Sequence, residues 1–392
     1  MADLRLCVNG LDLPNPFIIG SGPPGTNAKV IARAFDEGWG AVVAKTISLD
    51  ASKVVNVAPR YARMRADQTR EVIGWENIEL ISDRPFEIWE DEFKQIKDKY
   101  PDRCLIASIM EEYTRDAWIE IVERCQACGV DAFELNFSCP HGLPERKMGA
   151  AMGQDPDILE EVCTWVNAAA TIPVWAKMTP NITHIVDPGR AALKAGCEGL
   201  SAINTILSVM GVNLDTLRPE PTVEGYTVPG GYSCKAIRPI ALRMVMELAT
   251  MMYGGGSGAP IPDDGRPAVP GEFPECSLSA IGGVESGDDA AQFILMGAQT
   301  VQVCTGVMIH GYGLIQTMCD QLSAFMDKHG FETIEDFRGK SLQYFTTHAE
   351  LVRRQAEVKA AERAARKSMV TKDAAWEGDK FVQQSDDLVA NE

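Results

Sequence analysis

Eight short apolar runs, separated by stretches with helical periodicity, constrain the fold of this sequence more than any other feature. Each run has four to six residues and lacks the alternation of a half-exposed strand. Such runs are typical of strands buried on both faces of a parallel sheet. They span residues 17–20, 41–45, 104–109, 132–136, 174–177, 199–204, 278–281 and 300–304, and helical segments lie between them at 31–37, 118–128, 158–169 and 290–296.

Eight strand–helix units predict an α/β fold, the (βα)8 TIM barrel. The alternative is a doubly wound open sheet, which usually has fewer strands and begins with a glycine-rich loop that this sequence lacks. Residues 4–13 alternate around Asn9-Gly10, which predicts an N-terminal β-hairpin at the bottom of the barrel. Residues 351–367 are charged and rich in alanine, which predicts a C-terminal helix.

These patterns predict a barrel over residues 1–330 and a C-terminal helical extension with a polar tail over 331–392. Residues 206–233 follow the sixth strand, so they lie on the catalytic face and form a candidate lid. Residues 254–275 are rich in glycine and proline and precede the seventh strand. We expect them to be a flexible insertion on the opposite face, without a catalytic role.

The composition excludes several classes of partner. The chain has 392 residues and a net charge of −18, which argues against binding to nucleic acid or to an anionic membrane. No apolar run is long enough for a transmembrane helix. The first residues resemble neither a signal nor a transit peptide, so the sequence as written predicts a cytoplasmic location. A plastid location is the alternative if a transit peptide has been removed.

The eleven cysteines are scattered along the chain, which is typical of reduced thiols. Cys125 and Cys128 have the spacing of a metal-binding pair, but no second pair accompanies them. No run has the spacing of iron–sulfur ligands. We therefore expect no metal site and no iron–sulfur cluster.

Polar and glycine residues stand at the ends of most of the predicted strands. The carboxyl ends of barrel strands converge on one mouth, where active sites form. Glycine-rich turns after the last two strands would suit the phosphate of a flavin mononucleotide, FMN, and lysines near its ring would stabilise the reduced form. The residues at these ends are Ser21, Lys45, Thr46, Asn136, Lys177, Asn204, Thr205, Gly282, Gly283, Cys304 and Thr305.

The segment Asn-Phe-Ser-Cys-Pro-His-Gly at 136–142 directly follows the fourth strand. A cysteine at the barrel mouth can donate or accept a proton, and a nearby histidine can tune it. Cys139 and His141 are therefore candidate catalytic residues. The alternative is that Cys139 is one more apolar thiol.

This segment resembles the active-site loop of the dihydropyrimidine dehydrogenases. Other motifs of that family are similar to the sequence around Lys45, Asn77, Lys177, Asn204 and Cys304. The resemblance runs in order from about residue 4 to 325 and covers only the FMN barrel domain of that family. It is greatest for the short plant-type form. The sister family, class 1 dihydroorotate dehydrogenase, shares the fold and the loop cysteine.

The resemblance implies a role for each matching residue. Cys139 would exchange a proton at pyrimidine C5 while hydride passes between the flavin and C6, and Ser138 and His141 would orient the loop. Asn77, Asn136, Asn204 and Thr205 would hold the pyrimidine. FMN would be bound by Ser21, Lys45, Thr46, Lys177, Gly231, Gly282, Gly283, Cys304 and Thr305.

The implied activity is reduction of uracil and thymine to their 5,6-dihydro forms, the first step of pyrimidine catabolism, with electrons from NADPH. Asparagine side chains can both donate to and accept from a neutral pyrimidine imide. In the orotate family an asparagine typically follows the Cys-Pro pair, whereas His141 stands here, which favours uracil and thymine. Dihydroorotate oxidation is the alternative.

Two departures from the family pattern affect these expectations. Cys234 stands where the family usually has glycine, which would alter how the flavin phosphate is wrapped. The large mammalian enzyme also has an FAD/NADPH domain and iron–sulfur clusters, which have no counterpart here. The chain would therefore take electrons from NADPH directly or, as the alternative, from an electron-donor protein. A homodimer is the expected assembly.

Overall fold

The computed structural model describes residues 2–137, 148–255 and 270–368. The chain forms two compact units, residues 1–344 and 345–392. The strands are β1 (Leu6–Val8), β2 (Leu11–Leu13), β3 (Phe17–Ile19), β4 (Ala41–Val43), β5 (Tyr61–Arg65), β6 (Val72–Asn77), β7 (Cys104–Ile109), β8 (Ala132–Asn136), β9 (Val174–Lys177), β10 (Gly199–Ala202), β11 (Ile206–Ser208), β12 (Gly211–Asn213), β13 (Arg218–Glu220), β14 (Gly230–Ser233), β15 (Ser277–Ile281) and β16 (Thr300–Val303). The helices are α1 (Ala28–Glu37), α2 (Phe86–Lys99), α3 (Arg115–Ala127), α4 (Ala150–Gly153), α5 (Pro156–Ala169), α6 (Val186–Lys194), α7 (Arg238–Tyr253), α8 (Gly287–Leu295), α9 (Thr305–His310), α10 (Leu314–His329) and α11 (His348–Ser368).

Eight parallel strands close into a barrel in the order β3, β4, β7, β8, β9, β10, β15, β16 and back to β3. They coincide with the eight predicted apolar runs, and the TIM barrel fold is confirmed. Every residue of β4, β7 and β8 is buried. Strands covered by helices outside and side chains inside need no polar face, which explains their continuous apolar character.

The helices between the strands begin and end at residues with local signals. The side chain of Asn27 accepts a hydrogen bond from the Val30 N–H at the start of α1. Gly38 ends this helix with φ of 102°, a backbone conformation that favours glycine. Asp155 caps α5 in the same way as Asn27 caps α1, and Pro156 occupies the first helical position.

The N-terminal hairpin pairs β1 with β2 around Asn9-Gly10, as predicted. Val8 and Leu13 are buried against interior side chains of the barrel, including Ile18 and Trp175. Trp175 Nε1 also donates to Asn9 Oδ1 at 2.9 Å. The hairpin therefore closes the bottom of the barrel, opposite the strand ends that carry the predicted site.

The predicted loop over 206–233 contains four short strands instead of irregular backbone. β11 and β14 join β6 and β5 in an antiparallel sheet of the order β11-β14-β6-β5, and β12 pairs with β13. β5 and β6 were not predicted from the sequence either. Strands of three to six residues, paired with partners far along the chain, leave only a weak local pattern.

Residues 254–275 connect α7 to β15, and residues 256–269 of this predicted insertion lie outside the described part of the chain. Gly254 and Pro270 form an antiparallel bridge at its two ends. After α10, the first compact unit continues to Tyr344. Ile334, Phe337 and Leu342 are buried in the barrel core, and Gly339 N–H donates to the Ile294 carbonyl. The predicted C-terminal helix is α11, whose side chains from 351 to 364 are exposed.

Candidate active site

A cavity opens at the carboxyl ends of the barrel strands and has an empty volume of about 1110 Å³, including the part open to solvent. The antiparallel sheet contributes one wall through Tyr61, Trp75 and Asn77. The predicted residues that line the cavity are Ser21, Lys45, Thr46, Asn77, Asn136, Lys177, Asn204, Thr205, Gly282, Gly283, Cys304 and Thr305.

Gly231 lies directly behind this wall. Its carbonyl accepts a hydrogen bond from Asn77 Nδ2 at 3.2 Å. A Cβ at this position would lie 2.3 Å from Thr205 Oγ1, so only glycine lets β14 approach Thr205 this closely. Gly231 therefore supports two cavity side chains without lining the cavity itself.

Lys45 follows β4 and reaches a carboxylate that the sequence analysis did not assign. Its Nζ lies 3.0 Å from Glu79 Oε2, and both side chains are buried. Glu79 also accepts hydrogen bonds from Arg60 Nη1 and Tyr61 Oη, each at 2.7 Å. Burial raises the pKa of Glu79, but Lys45, Tyr61 and Arg60 together lower it below its usual value. The carboxylate is thus charged and fully paired.

Lys177, the last residue of β9, belongs to a buried network on the cavity floor. Its Nζ lies 2.9 Å from Glu134 Oε1 and 3.4 Å from Gln302 Oε1, while Gln302 Nε2 donates to Glu134 Oε2 at 2.7 Å. The network continues to the Ser201 hydroxyl, which Gln302 Nε2 reaches at 3.1 Å. An ammonium group has three protons. Two point at these partners, which leaves one for a group in the cavity.

The asparagine side chains converge from different strands. Asn136 at the end of β8 donates to Thr46 Oγ1 at 2.9 Å, and Asn204 after β10 reaches Asn136 Oδ1 at 3.5 Å. Thr205 N–H donates to Asn204 Oδ1 at 2.9 Å, and Asn77 comes from β6. These amides and hydroxyls form a neutral polar surface with both donors and acceptors.

The turn after β15 packs closely against the segment after β14. Gly283 has φ of +72°, and a Cβ there would lie 2.6 Å from the Cys234 carbonyl. Cys234, where the family usually has glycine, is buried and has φ of 80°. A positive φ is energetically unfavourable for a non-glycine residue, so the glycine that is usual at this position in the family suits the backbone conformation found here. The Cys234 thiol points to Glu285 Oε1 at 3.4 Å, and burial raises its pKa to about 12.

Cys304 also lines the cavity, at the end of β16. Burial raises the pKa of its thiol to about 11, although Lys177 and Lys45 oppose the effect. The thiol is therefore protonated at neutral pH. The predicted catalytic residues Ser138, Cys139 and His141 lie outside the described residues.

These residues fit an FMN cofactor. The first N–H groups of α9 have no partner within their helix, and they lie beside the glycine turn at 282–283. The helix start and the turn together offer hydrogen-bond donors for a phosphate. The Ser233 and Thr305 hydroxyls lie 3.0 Å apart at the same end of the cavity. Lys45 and Lys177 bring ammonium groups to the floor, each paired with a buried carboxylate, so they would offer hydrogen-bond donors to a flavin and little excess charge.

Several residues that line or support the cavity were missed because their partners are distant in the chain. Glu134 lies within an apolar run, and nothing local distinguishes it from a strand residue. Glu79 stands inside a motif that the resemblance matched, two residues after Asn77, and this motif was the signal that could have identified it. Tyr61, Trp75 and Ser233 depend on the antiparallel sheet, which was not predicted.

Within residues 2–137, 148–255 and 270–368, no group of three or more His, Cys, Asp or Glu side chains is placed to hold a metal ion. Cys125 is buried within α3, and the Cys128 thiol donates to the Arg124 carbonyl. None of the helices in the described part of the chain is long and apolar enough to span a membrane.

Comparison with known proteins identifies relatives over nearly the whole chain. A dihydropyrimidine dehydrogenase (NADP(+)), chloroplastic, from Arabidopsis thaliana is 60% identical over 394 residues, which cover 99% of this chain and 88% of that protein. The NAD-dependent dihydropyrimidine dehydrogenase subunit PreA of Escherichia coli (strain K12) is 37% identical, covering 86% of this chain and 76% of that protein. The resemblance found in the sequence is confirmed by these relatives.

The fold also matches a solved structure, the crystal structure of DHODH in complex with ferulenol from Eimeria tenella. The TM-score is 0.68 at 21% identity, covering 86% of this chain and 88% of that one, which shows a shared fold. Residues 3–260 and 270–326 match the family model described as dihydroorotate dehydrogenase. The family model matches most of the chain, and the chain forms a closed barrel with a cavity at the carboxyl ends of its strands. The chain therefore belongs to the dihydroorotate dehydrogenase family.

Proposed function

We propose that this chain is an FMN-dependent, NADP-linked dihydropyrimidine dehydrogenase that reduces uracil and thymine to 5,6-dihydrouracil and 5,6-dihydrothymine. The observation that carries the proposal is the convergence of Asn77, Asn136, Asn204 and Thr205 on one cavity beside two buried lysines. The name of the Arabidopsis relative, at 60% identity, supports the same activity.

The neutral polar surface formed by these amides and hydroxyls matches the chemistry of a neutral pyrimidine. Uracil and thymine present alternating N–H and C=O groups, and the amides can pair with both kinds. A site that pairs every polar edge discriminates against analogues that lack one. Lys45 and Lys177 are already paired with Glu79 and Glu134, so these two lysines offer little excess charge for a substrate carboxylate such as that of orotate.

FMN would be held by the residues that the sequence predicts for it. Backbone N–H groups near Gly282, Gly283, Thr305 and Cys234 would bind the phosphate, while Ser21, Thr46 and Cys304 would contact the rest of the cofactor. Lys177 would direct its remaining ammonium proton at the cofactor, held in place by Glu134. Bound FMN supplies reversible two-electron chemistry. We propose that NADPH is the electron source and that no iron–sulfur cluster takes part.

Cys139 is the proposed acid that delivers a proton to pyrimidine C5. It follows Asn136, which lines the cavity, by three residues. We predict that Cys139→Ala leaves FMN bound but lowers turnover by about 10²–10⁴-fold, the usual contribution of a general acid. Stopped-flow absorbance of the reduced chain mixed with uracil would measure the rate. Cys7→Ala, on the hairpin at the other end of the barrel, is the matched control, and an equal rate in both variants would contradict the assignment.

An anaerobic absorbance titration tests the function as a whole. NADPH is added to the FMN-loaded chain while the visible flavin band is followed, and uracil is then added. Bleaching by NADPH followed by recovery on uracil is the expected result. Bleaching by dithionite only, with recovery on uracil, would indicate that electrons come from a partner protein. Recovery on orotate but not on uracil would replace the proposal with dihydroorotate oxidation.

Two alternatives have specific support. The Escherichia coli relative is named as a subunit, which favours an FMN subunit that needs an electron-donor protein. A dihydroorotate dehydrogenase B (NAD(+)), catalytic subunit, of Methanocaldococcus jannaschii is 29% identical over 86% of this chain, which supports the dihydroorotate alternative. We also propose a homodimer. The chloroplastic relative favours the plastid over the cytoplasmic location.

A further inference from the structure

The hairpin formed by β5 and β6 carries three arginines, Arg63, Arg65 and Arg70, that form no ion pair with any described residue. Most other arginines lie within ion-pair distance of a carboxylate, namely Arg5, Arg33, Arg60, Arg84, Arg124, Arg190, Arg238, Arg243, Arg338, Arg353 and Arg354. Asp67, Glu71 and Glu76 equal these arginines in number, so residues 61–77 have no net charge as a whole. We call the side of the hairpin that carries Arg63 and Arg65 the basic surface, because these two guanidinium groups have no carboxylate partner among the described residues.

The basic surface continues a wall of the cavity. Tyr61 and Arg63 share one face of β5, because side chains alternate along a strand. Tyr61 lines the cavity, so Arg63 follows outward from it by about 7 Å along the strand. Arg65 lies farther out, beyond a shift in the pairing register between Met64 and Arg65. On β6, Trp75 and Asn77 lie on the same face and also line the cavity.

Arg63 is held in a defined position. It is directly opposite Trp75 in the sheet register, and its guanidinium carbon lies 4.4 Å from the centroid of the Trp75 ring. A guanidinium group stacked on an aromatic ring keeps its N–H donors free at the edge, where they can bind a phosphate in a bidentate manner. Arg65 Nη1 donates to the Arg70 carbonyl at 2.8 Å, which positions a second guanidinium farther out.

The nearby carboxylates do not neutralise these groups. Glu71 pairs with Lys235, and Glu79 deeper in the cavity pairs with Lys45 and Arg60. Glu76 points to the other face of β6, where it accepts from Ser208 Oγ and Met210 N–H. Asp67 lies in the turn beyond β5 and forms no ion pair among the described residues.

We propose that Arg63 and Arg65 bind the phosphate groups of the pyridine dinucleotide that delivers electrons to this site. The inference rests on the proposed function. A dinucleotide whose nicotinamide ring enters the cavity carries its phosphates outside it, along the wall where these arginines lie. An anionic ligand approaching an acidic protein needs such a local region of positive charge.

The test measures binding of NADPH and of 2′,5′-adenosine bisphosphate to the FMN-loaded full chain by isothermal titration. We expect Arg63→Ala and Arg65→Ala each to weaken NADPH binding by about 10- to 100-fold, as for a charge-assisted hydrogen bond. Arg63→Lys keeps the charge and should lose less than Arg63→Ala. Arg103→Ala is the matched control. It removes an arginine just before β7, at the opposite end of the barrel, that forms no ion pair among the described residues, and it should change binding by no more than about twofold.

The outcomes separate this inference from the proposed function. Unchanged NADPH binding in the Arg63→Ala, Arg65→Ala double variant would overturn the inference alone, and so would an equal loss in Arg103→Ala. If the wild-type chain binds no NADPH but reduces uracil after dithionite treatment, the electron source in the proposed function is wrong, and the inference falls with it. If in that case the double variant alone fails to accept electrons from a donor protein, the basic surface binds that protein instead of a dinucleotide.

Discussion

Glu134 is the buried carboxylate that holds the cavity floor together, since it binds both Lys177 and Gln302. We predict that Glu134→Gln lowers the free energy of unfolding by about 3–5 kcal/mol, because removing one partner leaves the Lys177 charge buried and unpaired. Urea denaturation at neutral pH measures this. Ser201→Ala removes only a neutral partner of Gln302 and should cost about 1 kcal/mol. Equal losses of unfolding free energy in the two variants would contradict a specific cost of leaving the Lys177 charge unpaired.

Glu79 gives the fold a specific dependence on pH. Its pKa is lower in the folded chain than its ordinary value of 4.5. A carboxyl of this kind stabilises the folded state above its unfolded-state pKa, and the contribution is lost as the pH falls through the folded-state pKa. We therefore predict that wild-type stability decreases more steeply below about pH 5 than that of Glu79→Gln.

The measurement is the free energy of unfolding from pH 7 down to pH 3. Glu272→Gln is the control, because Glu272 pairs with Arg190 at the surface, where solvent weakens the interaction. Its pH profile should stay close to that of the wild type. Parallel curves for the wild type and Glu79→Gln would contradict the prediction.

At the scale of elements, the turn after β15 depends on close backbone contact. Gly283 and Gly330 have nearly the same φ, +72° and +71°, but a Cβ at Gly283 would lie 2.6 Å from the Cys234 carbonyl, whereas at Gly330 it would meet nothing within 4 Å. We predict that Gly330→Ala costs only the strain of positive φ, about 1 kcal/mol. Gly283→Ala should cost more and should also reduce the amount of bound FMN.

Thermal unfolding and the flavin content of the purified chain test this pair of variants. The two glycines have nearly equal φ values, so the difference between the variants reports mainly on the contact with Cys234. If both variants lose the same stability and keep the same flavin content, the turn does not contribute to cofactor binding.

Elements differ in how well the sequence predicts them. The barrel strands and the helices could be predicted, because burial on two faces and helical periodicity are local patterns that extend over many residues. The antiparallel sheet of β5, β6, β11 and β14 could not. β6 pairs with β14, more than 150 positions away in the chain, and the register that brings Asn77 opposite Gly231 has no local signal.

At the scale of the whole molecule, the segment after α10 completes the barrel. Ile334, Phe337 and Leu342 are at most 5% exposed and belong to the barrel core, whereas the side chains of α11 from 351 to 364 are exposed. We predict that a chain ending at Tyr344 keeps the stability of the barrel. A chain ending at Gly330 should lose at least about 5 kcal/mol, because it leaves the sites of three large buried side chains empty.

Chemical denaturation of the two truncated chains, compared with the full chain, measures this difference. Light scattering on the same samples reports whether residues 345–392 contribute to the proposed homodimer. A similar loss of stability on truncation at either position would contradict the boundary at Tyr344.

The residues at the candidate site could be predicted from the sequence, but the ion pairs that they form could not. Lys45 and Lys177 were expected at the mouth because each ends a buried strand, and barrel topology brings all such ends together. Their partners Glu79 and Glu134 lie 34 and 43 residues away, and only the folded chain shows that each lysine is neutralised. The same holds for Arg63, which has no carboxylate partner among the described residues, a fact that becomes visible only when its neighbours are known.

The sequence by itself determined the barrel, the hairpin at its bottom and the set of polar residues at its mouth, since these depend on periodicity and on the order of elements. The tertiary structure alone decided which charges are paired, which face of β5 continues the cavity wall and where the first unit ends. The physical reason is that electrostatic pairing and close packing act over a few ångströms in space. They join residues whose separation along the chain carries no information about their contact.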